Sequence, residues 1–131
     1  MSFAKDIAKW AESTGQDIDT VRRAAFMDMT KGIVKRTPVD TGRAKGNWQP
    51  STGSPKSGAI SLRDKIGSIV EKKAQSVVDS VKGDETLYLT NNLEYIGGLE
   101  YGRKSKQAPS GMLRVTVREF QSSVRKAVNK L

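Results

Sequence analysis

The stretch that decides the fold runs Arg36-Thr37-Pro38-Val39-Asp40-Thr41-Gly42-Arg43-Ala44-Lys45-Gly46-Asn47-Trp48. Pro38 biases Thr37 away from helical geometry, so a helix arriving from the N-terminal side should stop there. Asp40 and Thr41 can hydrogen-bond their own backbone and Gly42 can take a positive φ, so Asp-Thr-Gly is expected to be a turn. A short strand over Ala44–Gln49 is expected to leave that turn, with Trp48 as its only apolar weight. The same triplet occurs in aspartic proteases, but those enzymes need two carboxylates sharing one proton. Only one such triplet is present.

On the N-terminal side, Phe3, Ile7, Trp10 and Ala11 make the stripe of a short amphipathic helix closed by Gly15. Asp17 can cap a second helix reaching about Lys35, with Ile18, Val21, Ala25, Met29 and Ile33 inward and Phe26 widening the face. Gly32 costs that helix up to about 1 kcal/mol unless it permits a close contact.

On the C-terminal side, residues 50–61 form a Pro/Gly/Ser-rich segment, expected to be a flexible loop or an arm that orders against a neighbour. Ser61 and Asp64 resemble a capping pair. Ile66, Ile69, Val70, Ala74, Val77, Val78 and Val81 then recur at helical spacing, which outweighs their β-branched preference and predicts a helix ended by Gly83. Lys72, Lys73 and Lys82 fall off that stripe, on its wet face. Thr86–Thr90 is the clearest strand, bounded by Gly83-Asp84 and Asn91-Asn92.

Residues 93–102 are expected to bend in a tight helical turn. The Gly97-Gly98 pair fits no phosphate-loop pattern. A basic loop, Arg103–Ser110, leads to a C-terminal amphipathic helix with Leu113, Val117, Phe120, Val124, Ala127, Val128 and Leu131 inward. Arg114, Arg118, Arg125, Lys126 and Lys130 lie opposite. Helices around a small antiparallel sheet place the chain in the α+β class.

At 131 residues, 36% hydrophobic and 28% charged, the chain is expected to be one globular domain. No apolar run approaches the roughly 18 residues of a membrane span, and the first residues lack a signal-peptide pattern. Cysteine is absent, which rules out disulfides. Histidine is absent too, removing the usual neutral-pH proton carrier and the commonest metal ligand. No cofactor site is expected.

Net charge is +9 and unevenly placed. Residues 84–100 hold Asp84, Glu85, Glu94 and Glu100 without Lys or Arg. Residues 101–131 hold Arg103, Lys104, Lys106, Arg114, Arg118, Arg125, Lys126 and Lys130 against Glu119 alone. The bland explanation is a solvated surface. The functional one is a head-to-tail contact, with the acidic surface of one subunit against the basic surface of the next.

The segment Arg36–Arg43 followed by Asn47-Trp48 resembles a hallmark of the tail-completion, or head–tail neck, proteins of long-tailed phages. So does Asn91-Asn92-Leu93-Glu94-Tyr95-Ile96, with Leu99-Glu100-Tyr101-Gly102 and Ser105–Met112 after it. The resemblance spans nearly the whole chain. It implies a non-enzymatic virion protein, made in the host bacterial cytoplasm, that finishes the top of the tail and helps join it to the head. It implies a ring of subunits, sixfold, with a tail terminator, tail tube or head connector as partner. Pro38, Asp40, Thr41, Gly42 and Trp48 would then serve the fold. Arg43, Glu94, Tyr95, Glu100, Tyr101, Arg103, Lys104 and Lys106 become candidates for subunit or partner contact.

Two other functions stand beside this one. The charge suits a module contacting DNA non-specifically, although no binding motif or aromatic–basic interleaving is present. A hydrolase using Asp40 or the Glu94/Glu100 pair would need a particular carboxylate separation that sequence spacing does not establish.

Overall fold

The computed structural model describes residues 3–15, 18–83, 85–101 and 111–129. Its order is α1 (Phe3–Thr14), α2 (Ile18–Arg36), α3 (Arg43–Gly46), β1 (Gln49–Thr52), α4 (Ser68–Ser80), β2 (Leu87–Thr90), α5 (Ile96–Glu100) and α6 (Leu113–Asn129). The two strands pair antiparallel, Gln49 opposite Thr90 through Thr52 opposite Leu87. The fold is α+β, as expected.

α2 is the central pillar, packed by α1, α4 and α6. A helix touched from several sides buries more than one stripe, and α2 buries Val21, Ala25, Thr30, Ile33 and Val34. Gly32 provides the close contact that justifies it. A Cβ there would lie 2.8 Å from the Thr116 methyl of α6.

Thr37 ends α2 as Pro38 requires, and it has two further duties. Its hydroxyl donates to the Ile33 carbonyl at 2.7 Å and accepts from the Trp48 indole N–H at 2.9 Å. The Asp-Thr-Gly turn then forms with Gly42 at φ 86°. A Cβ on Gly42 would meet backbone atoms of Asp64 and Lys65 at 2.8–2.9 Å. The Gly42 carbonyl accepts from Gly46 N–H and from Asp64 N–H, both at 2.9 Å.

That doubly used carbonyl explains a departure from expectation. Residues 43–46 wind into one helical turn instead of starting a strand, and Trp48 sits on the connector. The strand begins at Gln49, the last residue of the expected one, and runs to Thr52 inside what looked like a loop. Its Gln-Pro-Ser-Thr sequence has little strand character, and pairing with β2 makes it one. The remainder of residues 50–61 is irregular but tied down. Asn47, fully buried, donates to the carbonyls of Arg43 and Ile60 and accepts from Ile60 N–H. Gln49 donates to Gly58 O at 2.9 Å.

α4 also starts later than its apolar spacing suggests. Ser61 takes no part in the cap; buried Asp64 accepts from Gly67 N–H at 2.9 Å and Val70 N–H at 3.0 Å. The buried face is Val70, Ala74 and Val78. Ile66, 80% exposed, and Ile69, 41% exposed, lie off it. At the other end α4 stops at Ser80, and Arg23 of α2 donates to the carbonyls of Val78 and Val81. α1 ends before Gly15, and α5 and β2 fall where expected. The proposed cap Asp17 lies outside the described residues.

In α6 the inward positions include Val124 and Thr116, with Val117 and Phe120 half-buried. Leu113 is 44% exposed, and Met112, one residue before the helix, fills the interior in its place. The side chains of Ala127, Val128 and Leu131 lie outside the described residues. Met112 joins Ile33, Val34, Ala44, Trp48, Val70, Leu93 and Leu99 in the principal core.

Candidate assembly surface

The two short segments that carry the family resemblance meet in space. The Asn91 side chain donates to Ala44 O at 2.9 Å and accepts from Leu93 N–H at 3.2 Å. Asn92 donates to the carbonyls of Lys56 and Gly58. Trp48 packs with Leu93, Leu99 and Met112. One buried indole is therefore shared by residues 36–48 and by Leu93, Leu99 and Met112. Pro38 and Gly42 are buried, while Asp40 and Thr41 are exposed.

Glu100 is the most heavily used carboxylate. It accepts from Met112 N–H at 3.1 Å, Leu113 N–H at 2.8 Å, Arg114 N–H at 3.0 Å and the Arg114 guanidinium at 3.0 Å. Arg114 donates in return to Glu100 O at 2.7 Å. The carboxylate sits on the N-terminus of α6, where unpaired N–H groups favour negative charge. Burial alone would push its pKa up. The N–H groups of Arg114, Leu113 and Met112 and the Arg114 side chain outweigh burial and hold it below its ordinary value. Gly111, at φ 89°, lets the chain pass so close that a Cβ would strike Glu100 O.

Glu100 thus closes the described structure on itself, with its side chain only 13% exposed. Glu85 is likewise engaged, accepting from Lys82 N–H at 3.0 Å. Glu94 is exposed and forms no ion pair among the described residues. Tyr95 packs half-buried against the core, and Arg43 is exposed on α3. Tyr101 is 58% exposed, with the Arg114 guanidinium 4.4 Å from its ring centre. Arg103, Lys104 and Lys106 lie outside the described residues.

Between these groups is a hollow of about 340 Å³, lined by Trp48, Leu89, Ile96, Gly97, Tyr101 and Leu113 with the Glu100 carboxylate at its side. Leu113 and Arg114 had been assigned to the inward stripe and the wet face of a helix, and α6 brings both to this surface instead. Nothing in the spacing of Glu100 and Arg114 announces their pairing. Among the described residues no group of three carboxylates could hold a metal, and no helix is long and apolar enough to cross a membrane.

Comparison with known proteins finds no matching family model, no matching curated protein and no matching solved structure.

Proposed function

We propose that this chain is a structural subunit of a phage virion that completes the top of the tail and helps join it to the head, as one member of a ring. The observation that carries this reading is the convergence of the two motif segments on Trp48. Short motifs that match by chance have no reason to share one indole and one asparagine bridge. Their outer side presents apolar and π surface, Tyr101 and Leu113 beside Arg114, in the mixture that protein contacts use. Asp40 and Glu94 stand exposed and form no ion pair among the described residues, and Glu100 is occupied by four donors. That arrangement favours assembly over hydrolysis.

The test is genetic. Interrupting the gene in the phage that encodes it should leave filled heads and tails unjoined, or tails of abnormal end structure, by electron microscopy of the lysate. Particles of normal infectivity formed without the chain would overturn the proposal.

A further inference from the structure

We propose that the groove between β1, the 56–60 segment and α4 receives a short acidic segment of a partner polypeptide, its carboxylates on Lys56 and Lys73 and an apolar side chain against the groove's apolar lining. This goes beyond the virion reading and does not require it.

The groove follows from how α4 meets the sheet. The helix packs on β1, but its buried face is only Val70, Ala74 and Val78. The helical period sets Lys73, Ser76 and Val77 together on one flank of that face, and this flank lines the groove with β1. Lys56, Ser57 and Ile60 complete the lining, in a segment tied down by Asn47 and Gln49. The space they enclose is about 750 Å³.

Two lysines line this groove and no carboxylate does. Among the described residues neither Lys56 nor Lys73 forms an ion pair, and the Ser57 and Ser76 hydroxyls make no hydrogen bond. The nearby acids are turned elsewhere. The period of α4 carries Glu71 and Asp79 to other sides of the helix, and Asp79 accepts from Gln75 at 2.8 Å. Glu85 lies beside Gly53, beyond the end of β1, and accepts from Lys82 N–H at 3.0 Å. The other hollows differ. The one between α2 and α6 sets Lys31, Lys35 and Arg36 beside Asp28 and Glu119. The one at Trp48 has Glu100 already paired with Arg114. Their cations have acids at hand; those of the β1–α4 groove do not.

Unpaired ammonium groups beside free hydroxyl donors suit an anion. The rest of the lining selects which one. A nucleic-acid backbone would set phosphates and sugars against Pro50, Ile60 and Val77, and no aromatic residue lines the groove for its bases to stack on. A peptide with carboxylates on either side of a leucine or valine satisfies both parts, charge against the lysines and hydrocarbon against the apolar residues. The volume agrees: it falls in the range of about 300–1,000 Å³ typical of sites that take up small ligands, which suits a few residues of chain better than the surface of a folded domain.

A capped peptide of about six residues alternating glutamate with leucine, titrated into the whole chain and followed by NMR, tests the groove. It should shift the amides of Ser57, Ser76 and Val77 and approach saturation by about 1 mM. The same peptide with glutamine for glutamate, or with serine for leucine, should bind about fivefold more weakly or worse, the scale of two exposed ion pairs or of one partly buried leucine. Lys56→Gln with Lys73→Gln should weaken the parent peptide by a similar factor. Lys31→Gln with Lys35→Gln removes equal charge from exposed positions outside the groove and should change binding by less than about twofold. Ser76→Glu, at an exposed helical position, puts a carboxylate into the groove without disturbing the core and should weaken the peptide as the groove lysine pair does. Equal binding of the three peptides, equal loss from the two lysine pairs, or no binding at about 1 mM would overturn the proposal. So would displacement of the peptide by a lower concentration of a DNA duplex of about 12 base pairs, because the occupant would then be a phosphate backbone. Self-association of the chain that Ser76→Glu abolishes would also overturn it, because the occupant would then be a second copy.

Discussion

Glu100 ties the end of α5 to the beginning of α6, and its charge is what makes the tie. Glu100→Gln keeps the shape and loses the charge. At neutral pH it should cost about 1–2 kcal/mol, the usual worth of a helix N-cap or a hydrogen bond to a charged group. The pH dependence has a definite sign. A carboxylate whose pKa is lowered in the folded state stabilises the fold above its unfolded value, here the ordinary 4.5, and that contribution fades as pH falls through the folded pKa. Urea melts of the two proteins should therefore differ at pH 7 and converge as the pH falls well below 4.5. A constant difference would show that shape, not charge, was lost. Trp48→Phe tests the other hub: it keeps an aromatic ring but leaves the Thr37 hydroxyl without its indole donor. A loss of about 1–3 kcal/mol in the same melts is expected from the missing bond and the smaller ring.

Elements were legible wherever local chemistry decides them. Pro38 stopping α2, Gly42 turning the chain, and the period of α1, α2 and α6 all depend on neighbours in sequence. β1 was hidden because Gln-Pro-Ser-Thr becomes a strand through residues some 40 positions away. α4 was placed too early because Ile66 and Ile69 match its period, while Asp64 delays the first turn by capping Gly67 and Val70. The same helix is finished by Arg23, whose guanidinium reaches its last carbonyls from α2. α4 is thus held at both ends by side chains it does not own. Asp64→Ala should cost about 1–2 kcal/mol and speed amide exchange in the first turn of α4 more than in α6. Equal acceleration in both helices would mean that Asp64 acts on the fold as a whole. The roles of Glu100 and Arg114 were invisible for the same reason as β1: both depend on a long-range meeting.

At the scale of the molecule, the acidic and basic halves are less separate than their order in the chain suggests. Glu100 pairs with Arg114, and Arg36 pairs with Glu119 across α2 and α6. Any head-to-tail attraction between subunits therefore rests on Glu94 more than on Glu100. Glu94→Lys, on an exposed side chain, should leave the urea midpoint within about 0.5 kcal/mol of the parent. It should also reduce ring formation at low salt, followed by mass photometry. Unchanged rings would remove the charge argument while leaving the virion reading to its genetic test. Reversal of Glu100 would confuse the two, because it uncaps α6.

The pairing of α1 with α6 has a consequence for biosynthesis. Helices from opposite ends of the chain pack on each other, and Ala11 of α1 is buried. A ribosome delivers α1 and α2 early and α6 late, so the side of α1 that faces α6 stays uncovered for roughly a hundred residues of translation after α2 can pack on its other side, on the order of 5–20 seconds. During that interval the uncovered side is exposed to aggregation, and only the arrival of α6 closes it.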